Sequence, residues 1–120
     1  MEGLFKIDTQ MTFTRKVTFN VPGAEGGFTQ HSLQTTFKHF PKDEVDEMQQ
    51  ELSDTEAYGR AVIGVKGVAG ADGAELPPAE GAAAMANLSS FVFEAMYTYY
   101  DAVLGGNLKK KTSARRRSTG

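Results

Sequence analysis

The sequence contains no cysteine and no tryptophan. The absence of cysteine excludes disulfide bonds, thiolate catalysis and cysteine-based zinc sites, and with them a secreted scaffold held by disulfides. No stretch approaches the roughly 18 apolar residues that cross a bilayer, and the first ten residues lack the basic and apolar regions of a signal peptide. We therefore expect a cytosolic protein that is neither exported nor embedded in a membrane.

Acidic residues are absent from the end of the chain, although the 120 residues as a whole have a net charge of only -2. Residues 1–108 hold all 15 acidic residues and seven of the 13 basic ones, which gives 7 − 15 = -8. The other six bases are Lys109, Lys110, Lys111, Arg115, Arg116 and Arg117. We predict one domain over residues 1–104 and a basic flexible tail over residues 105–120, which is disordered unless a partner neutralises it.

The first part of the chain alternates apolar and polar residues, which is typical of half-buried strands. One strand is predicted over Thr12 to Val21, and a second over Phe28 to Phe40. The turn residues of PGAEGG between them predict a β-hairpin. Leu4 to Ile7 is a candidate edge strand.

After Pro41 the apolar spacing becomes helical. Val45, Met48 and Leu52 predict an amphipathic helix of about three turns with acidic residues at its start. Residues 53–55 are candidate caps for a second helix, and from Ala61 to Val68 both a helix and a strand are compatible with the sequence.

A loop is predicted from Gly67 to Pro78, with its turn at Asp72-Gly73. A short helix follows over Ala79 to Ala86. The last helix is predicted over Phe91 to Leu104, capped by Ser89 or Ser90 and ended by Gly105-Gly106. The predicted fold class is therefore α+β, with an N-terminal antiparallel β-hairpin or small sheet followed by three to four α-helices.

No group of residues has the spacing of a catalytic, cofactor or metal site. His31 and His39 lie about 26 Å apart along one strand, too far to share an ion or a substrate atom. The acidic residues 43–51 have the spacing of a solvated helix face, without the turn-forming glycine of a calcium loop. The glycines of GVKGVAGADG match no phosphate-binding pattern, and the serines have no activating base nearby in sequence. We expect no enzymatic activity, no cofactor and no metal.

The last helix offers two apolar stripes about 100° apart. Val92, Met96, Tyr99 and Val103 form the first; Phe93, Tyr97, Tyr100 and Leu104 form the second. One interpretation places both stripes in the core. The other turns the second stripe, which is richer in rings, towards a partner, because aromatic residues anchor interfaces. We predict the second arrangement.

Four segments resemble the tail assembly chaperones of long-tailed (siphovirus-type) bacteriophages and prophages. They read TFTRKVTFNVPG, FKHFPKDEVDEMQQEL, AVIGVKGVAGADGAELP and FVFEAMYTYYDAVLGGNLKKK, and together span most of residues 4–111. Lys66 stands where relatives often carry Trp. The resemblance implies a small α+β protein that acts in the host bacterial cytoplasm. It would bind the tape measure protein, keep it soluble while tail tube protein assembles around it, and be made also as a longer frameshifted product.

Two other functions fit the sequence. The chain is alternatively a structural tail or head–tail connector subunit whose hairpins pair edge to edge into a ring, which would make it a homo-oligomer. The third candidate is a small nucleic-acid-binding regulator that uses the basic tail. The tail lacks interleaved aromatic residues and the acidic domain would repel a polyanion, so we expect no specific nucleic acid partner.

Overall fold

The computed structural model describes residues 11–105, which form three strands and four helices. In chain order these are β1 (Thr12–Pro22), β2 (Phe28–Lys38), α1 (Lys42–Glu51), α2 (Asp54–Ala61), β3 (Val62–Val65), α3 (Pro78–Met85) and α4 (Ser89–Val103). The strands form one antiparallel sheet in the order β1-β2-β3. The predicted α+β class is confirmed.

The hairpin of β1 and β2 is the longest regular feature of the sheet. Its register runs from Thr12 opposite Lys38 to Pro22 opposite Phe28. Gly26 and Gly27 have φ values of 105° and 67°, so the turn uses the left-handed backbone that glycine adopts without a steric penalty. On one face, hydroxyl pairs link the strands, with oxygen distances of 3.0 Å for Thr14–Thr36 and 2.9 Å for Thr18–Ser32.

The opposite face of the hairpin forms the core with α2 and α4. Val17 and Phe19 of β1 and Phe37 of β2 are buried there, as the alternating pattern predicts. The Phe19 ring meets Phe91 edge to face with centroids 5.0 Å apart, and the Phe37 and Tyr99 ring centroids are 5.5 Å apart. The aromatic residues of the hairpin therefore fix the position of α4 on the sheet.

The edge of β3 is covered by α3. Lys66 N–H donates to the Gln34 carbonyl at 2.9 Å, so the Val65 carbonyl, one residue earlier, points away from β2. Gly81 of α3 packs against this carbonyl so closely that a Cβ atom at residue 81 would overlap it. A glycine at this position therefore lets the helix backbone approach the strand edge.

Two details of the sequence-based prediction are wrong at the residue level, the end of β2 and the cap of α4. Strand β2 ends at Lys38 instead of Phe40. Neither Ser89 nor Ser90 caps α4, because the helix starts at Ser89 and its N-cap is Leu88, without a side-chain hydrogen bond. The Leu88 side chain packs against the core. The Ser90 hydroxyl is buried and has no hydrogen-bond partner among residues 11–105.

The region from residue 53 to 78 is partly as predicted. Ser53 caps α2 as expected. The helix stops at Ala61 and the chain continues as β3, so the strand is the correct alternative for this region, although it is shorter than Ala61 to Val68. The predicted loop does turn at Gly73, which has a φ of 83°, but it also contains a short β-bridge between Ala69 and Glu75.

Two predictions lie outside the described residues. These are the edge strand at Leu4 to Ile7 and the flexible basic tail, of which only Gly105 is described. Among residues 11–105, no helix is both long and apolar enough to cross a membrane.

Candidate partner-binding surface

Helix α4 places its first apolar stripe largely in the core. Met96 and Tyr99 are almost inaccessible to solvent, Val92 is buried, and Val103 is half-buried against the core. Phe91 and Ala95 are also fully buried. The Tyr99 hydroxyl accepts a hydrogen bond of 3.2 Å from the Phe40 backbone N–H. This bond satisfies the buried end of an otherwise apolar ring.

The second stripe is divided between solvent and core. Phe93 and Leu104, near its ends, are 50% and 37% exposed. Tyr97 is half-buried without being packed against the core cluster, whereas Tyr100 is packed against it. All four predicted partner residues therefore face solvent at least in part, and Tyr100 also supports the fold.

Tyr100 lies where the core meets the surface. Its ring contacts Tyr99 edge to face with centroids 5.6 Å apart. Burial, with smaller contributions from Asp54 and Tyr99, raises the pKa of Tyr100 to about 12. The hydroxyl therefore stays protonated and can donate a hydrogen bond at neutral pH.

A groove of about 280 Å³ lies where the end of α4 meets the start of α1. Phe40, Val45, Val103 and Leu104 give it apolar walls, and His39, Lys42 and Asp46 give it polar ones. Lys42 and Asp46 form an ion pair with an N–O distance of 2.7 Å on its rim. Gly105 follows with a φ of 72° and ends α4 beside this groove, as a helix-terminating glycine does.

A second groove, also of about 280 Å³, adjoins Phe93 at the other end of the stripe. Asp54 and Thr55 of α2 and Ala86 form its opposite wall. The stripe therefore runs from one shallow groove to the other. Another groove, of about 460 Å³, lies on the hydroxyl-bearing face of the sheet beside Lys66, and its lining includes Thr14, Thr36 and Pro78.

The ionisable residues are distributed unequally between strands and helices. The helices α1, α2 and α4 carry nine acidic and two basic residues, whereas the three strands carry three basic residues and no acidic one. Two acidic residues of the helices are in ion pairs, Asp46 with Lys42 and Glu44 with Arg60. The apolar stripe of α4 therefore lies in the acidic part of the domain.

The two histidines and Ser53, for which the sequence predicts no catalytic role, make contacts that belong to the fold. His31 lies opposite Phe19 in the hairpin register, and the His39 ring is edge-on to Phe13 with centroids 6.0 Å apart. The Ser53 hydroxyl accepts a bond from the Glu56 N–H at 3.2 Å, and the Glu56 carboxylate accepts one from the Ser53 N–H at 3.0 Å. This reciprocal pair is a capping box. Within residues 11–105, no three His, Asp or Glu side chains are grouped as metal ligands.

Sequence reasoning missed the grooves at the two ends of the stripe. Each groove depends on side chains from α4 and from a helix about 40 to 60 residues away, and helical spacing within α4 carries no information about such neighbours. The excess of acidic residues in the helices was the one sequence feature related to this surface. It predicts an acidic surface but not where that surface lies relative to the stripe.

No family model, no curated protein and no solved structure matches the chain.

Proposed function

We propose that this chain is a non-enzymatic tail assembly chaperone of a long-tailed bacteriophage or prophage, which binds the tape measure protein in the host cytoplasm and keeps it soluble. The observation that carries the proposal is the partly exposed stripe of Phe93, Tyr97 and Leu104 on a helix whose other side is buried. A protein that prevents aggregation needs apolar surface for its client and charge around it to keep the complex in solution.

The resemblance in sequence suggests the tape measure protein as the client. The partly exposed stripe of α4 supports this proposal, because it is a surface on which apolar client segments could bind. The side chains of the stripe have rings or a branched apolar end, of the kind that anchor protein interfaces. The proposed mechanism is reversible shielding: the chaperone covers apolar client segments until tail tube subunits replace it. Such a role needs binding energy and no activated nucleophile.

Co-expression with the tape measure protein of the same phage genome tests the proposal. The soluble yield of the tape measure protein should rise several-fold, and the two proteins should elute together in size-exclusion chromatography. Phe93→Ser should reduce the gain, whereas Phe28→Ser changes a ring that is 73% exposed on the hairpin and should not. An unchanged yield with a folded wild-type chaperone would contradict the proposal.

The outer edge of β1 favours one alternative function, that of a structural subunit that forms rings. Within the described residues β1 pairs with β2 alone, so its other edge has no strand beside it, and such edges pair with further chains. Light scattering of the isolated protein distinguishes the two functions. Stable closed rings without any client would favour the structural subunit.

A further inference from the structure

We infer that the second stripe of α4, together with the two grooves at its ends, binds an amphipathic helix whose apolar residues are flanked by lysine or arginine. This inference rests on the proposed function, because it describes the client segment that the chaperone would hold. The length of the surface, the charge around it and the nature of its backbone each support it.

The length of the surface matches about three turns of a helix. Phe93 and Leu104 are eleven residues apart on α4, which corresponds to about 16 Å along the helix axis. The grooves next to these two residues are shallow; the one beside Leu104 has mainly apolar walls, and the one beside Phe93 has mixed apolar and polar walls. A partner helix with apolar residues at positions i, i+4, i+7 and i+11 would span the same distance, with its end side chains at the grooves and its middle ones over Tyr97.

The backbone of the surface favours a helix over an extended peptide. The N–H and C=O groups in the middle of α4 are bonded within the helix, so they cannot pair with an added strand. A second helix can still pack its side chains between those of α4. The outer edge of β1, which has no strand beside it among residues 11–105, belongs to a different part of the domain.

The charge around the stripe selects a basic partner. Asp54 lines the groove beside Phe93, whereas the groove beside Leu104 holds the Lys42–Asp46 ion pair and adds no net charge. Glu94 is partly exposed on α4 and lies next to Tyr97 on a helical wheel. An acidic helix or an anionic lipid surface would be repelled here, whereas lysine or arginine beside the apolar residues would meet carboxylates.

A pair of synthetic helical peptides of about 18 residues tests the inference. Both carry the same leucine face; one has lysine at the flanking positions and the other has glutamate. Fluorescence anisotropy measures the binding of each labelled peptide to the full chain. We expect the lysine peptide to bind at least about tenfold more tightly at low salt, and the difference to shrink as salt screens the charges.

Two matched variants test where on the domain the peptide binds. Phe93→Ser should weaken binding of the lysine peptide by about fivefold or more, as loss of an anchor does. Phe28→Ser, which removes an exposed ring from the hairpin, should leave binding unchanged, and circular dichroism verifies that both variants are folded. Equal binding of the two peptides, no binding of either, or equal effects of the two variants would overturn the inference.

The chain's own basic tail is the competing occupant, because it follows Gly105 directly. If the lysine peptide binds only after residues 106–120 are removed, the tail occupies the surface and the inference is overturned. The result is separable from that of the co-expression experiment. If co-expression makes the client soluble but neither peptide binds, the client binds to another surface and only this inference is overturned. If the lysine peptide binds but the solubility of the client does not rise, only the proposed function is overturned.

Discussion

Met96 and Tyr97 are neighbours in sequence with different surroundings. Met96 is only 1% exposed and lies among the core residues, whereas Tyr97 is half-buried outside the core cluster. Met96→Ala should therefore lower the free energy of unfolding by about 2–5 kcal/mol, because it leaves a cavity. Tyr97→Ala should hardly change the thermal unfolding midpoint but should weaken association with a partner by about 1–2 kcal/mol.

Calorimetry of the two variants, followed by binding measurements on the folded ones, separates the two effects. If Tyr97→Ala destabilises the protein as much as Met96→Ala does, both stripes belong to the core. The partner surface would then have to lie elsewhere, and the edge of β1 would be the next candidate.

At the scale of single elements, α3 depends on a glycine. A methyl group at residue 81 would overlap the Val65 carbonyl, so Gly81→Ala should push α3 away from β3 and lower the free energy of unfolding by about 1–3 kcal/mol. Gly59 of α2 has no atom near the position of an added Cβ. Gly59→Ala should therefore stabilise the protein by about 0.5–1 kcal/mol, because alanine favours the helix.

Urea unfolding of both variants measures these changes. Gly59→Ala serves as the control, since it makes the same chemical substitution in a helix of the same length. A Gly81→Ala protein as stable as Gly59→Ala would mean that α3 is not in contact with the edge of β3.

Helix α2 begins with a capping box whose strength depends on pH. The hydrogen bonds from the Ser53 backbone N–H and hydroxyl to the Glu56 carboxylate lower the pKa of Glu56 from 4.5. Because the folded-state pKa is the lower one, the stabilisation is present above pH 4.5 and is lost as pH falls through the folded-state value.

Unfolding experiments between about pH 3 and pH 7 test this dependence. The wild type should lose more stability on acidification than Glu56→Gln, which has no carboxylate to protonate. Ser53→Ala should cost about 1 kcal/mol at neutral pH, as the loss of a helix cap does. Parallel pH profiles for the wild type and Glu56→Gln would show that the box does not contribute.

The sequence predicted the strands and helices well where the apolar residues follow one clear spacing, either that of a strand or that of a helix. Phe13, Val17 and Phe19 alternate with polar residues, and Val45 and Met48 repeat at helical spacing, so β1 and α1 were located within one or two residues. From Ala61 to Val65 small and β-branched residues fit either structure, and pairing with β2 decides in favour of a strand after Ala61. Such pairing depends on residues about 30 positions away, which local spacing does not reveal.

The candidate surface was predictable only in part, for the same reason. Helical spacing assigned Phe93 and Met96 to different sides of α4, and their exposures differ accordingly. The spacing gave no indication that Tyr100 would pack against the core cluster, because that contact depends on the elements that surround α4.

At the scale of the whole molecule, the core contains ionisable hydroxyl groups, and their protonation is coupled to folding. Burial raises the pKa values of Tyr58 and Tyr99 above 10.0, and that of Tyr100 to about 12. The Tyr58 hydroxyl also donates to the Ala82 carbonyl at 2.8 Å, which requires the protonated form. Above pH 10 the folded state therefore holds more protons than the unfolded state, so stability is complete below that pH and decreases as pH rises.

Ultraviolet titration of tyrosinate absorbance, recorded together with circular dichroism, measures this coupling. We expect Tyr58, Tyr99 and Tyr100 to titrate above pH 10 and to do so together with the loss of structure. In denaturant all four tyrosines of the chain should titrate near the unperturbed value. Tyr58→Phe should reduce by one the number of protons released when the protein unfolds at high pH. The variant also lacks the hydrogen bond to the Ala82 carbonyl, so it should unfold at a lower temperature at neutral pH. Full titration near pH 10 with the fold intact would contradict the buried arrangement of these rings, because an ionised hydroxyl cannot remain in a core without water or a counter-charge.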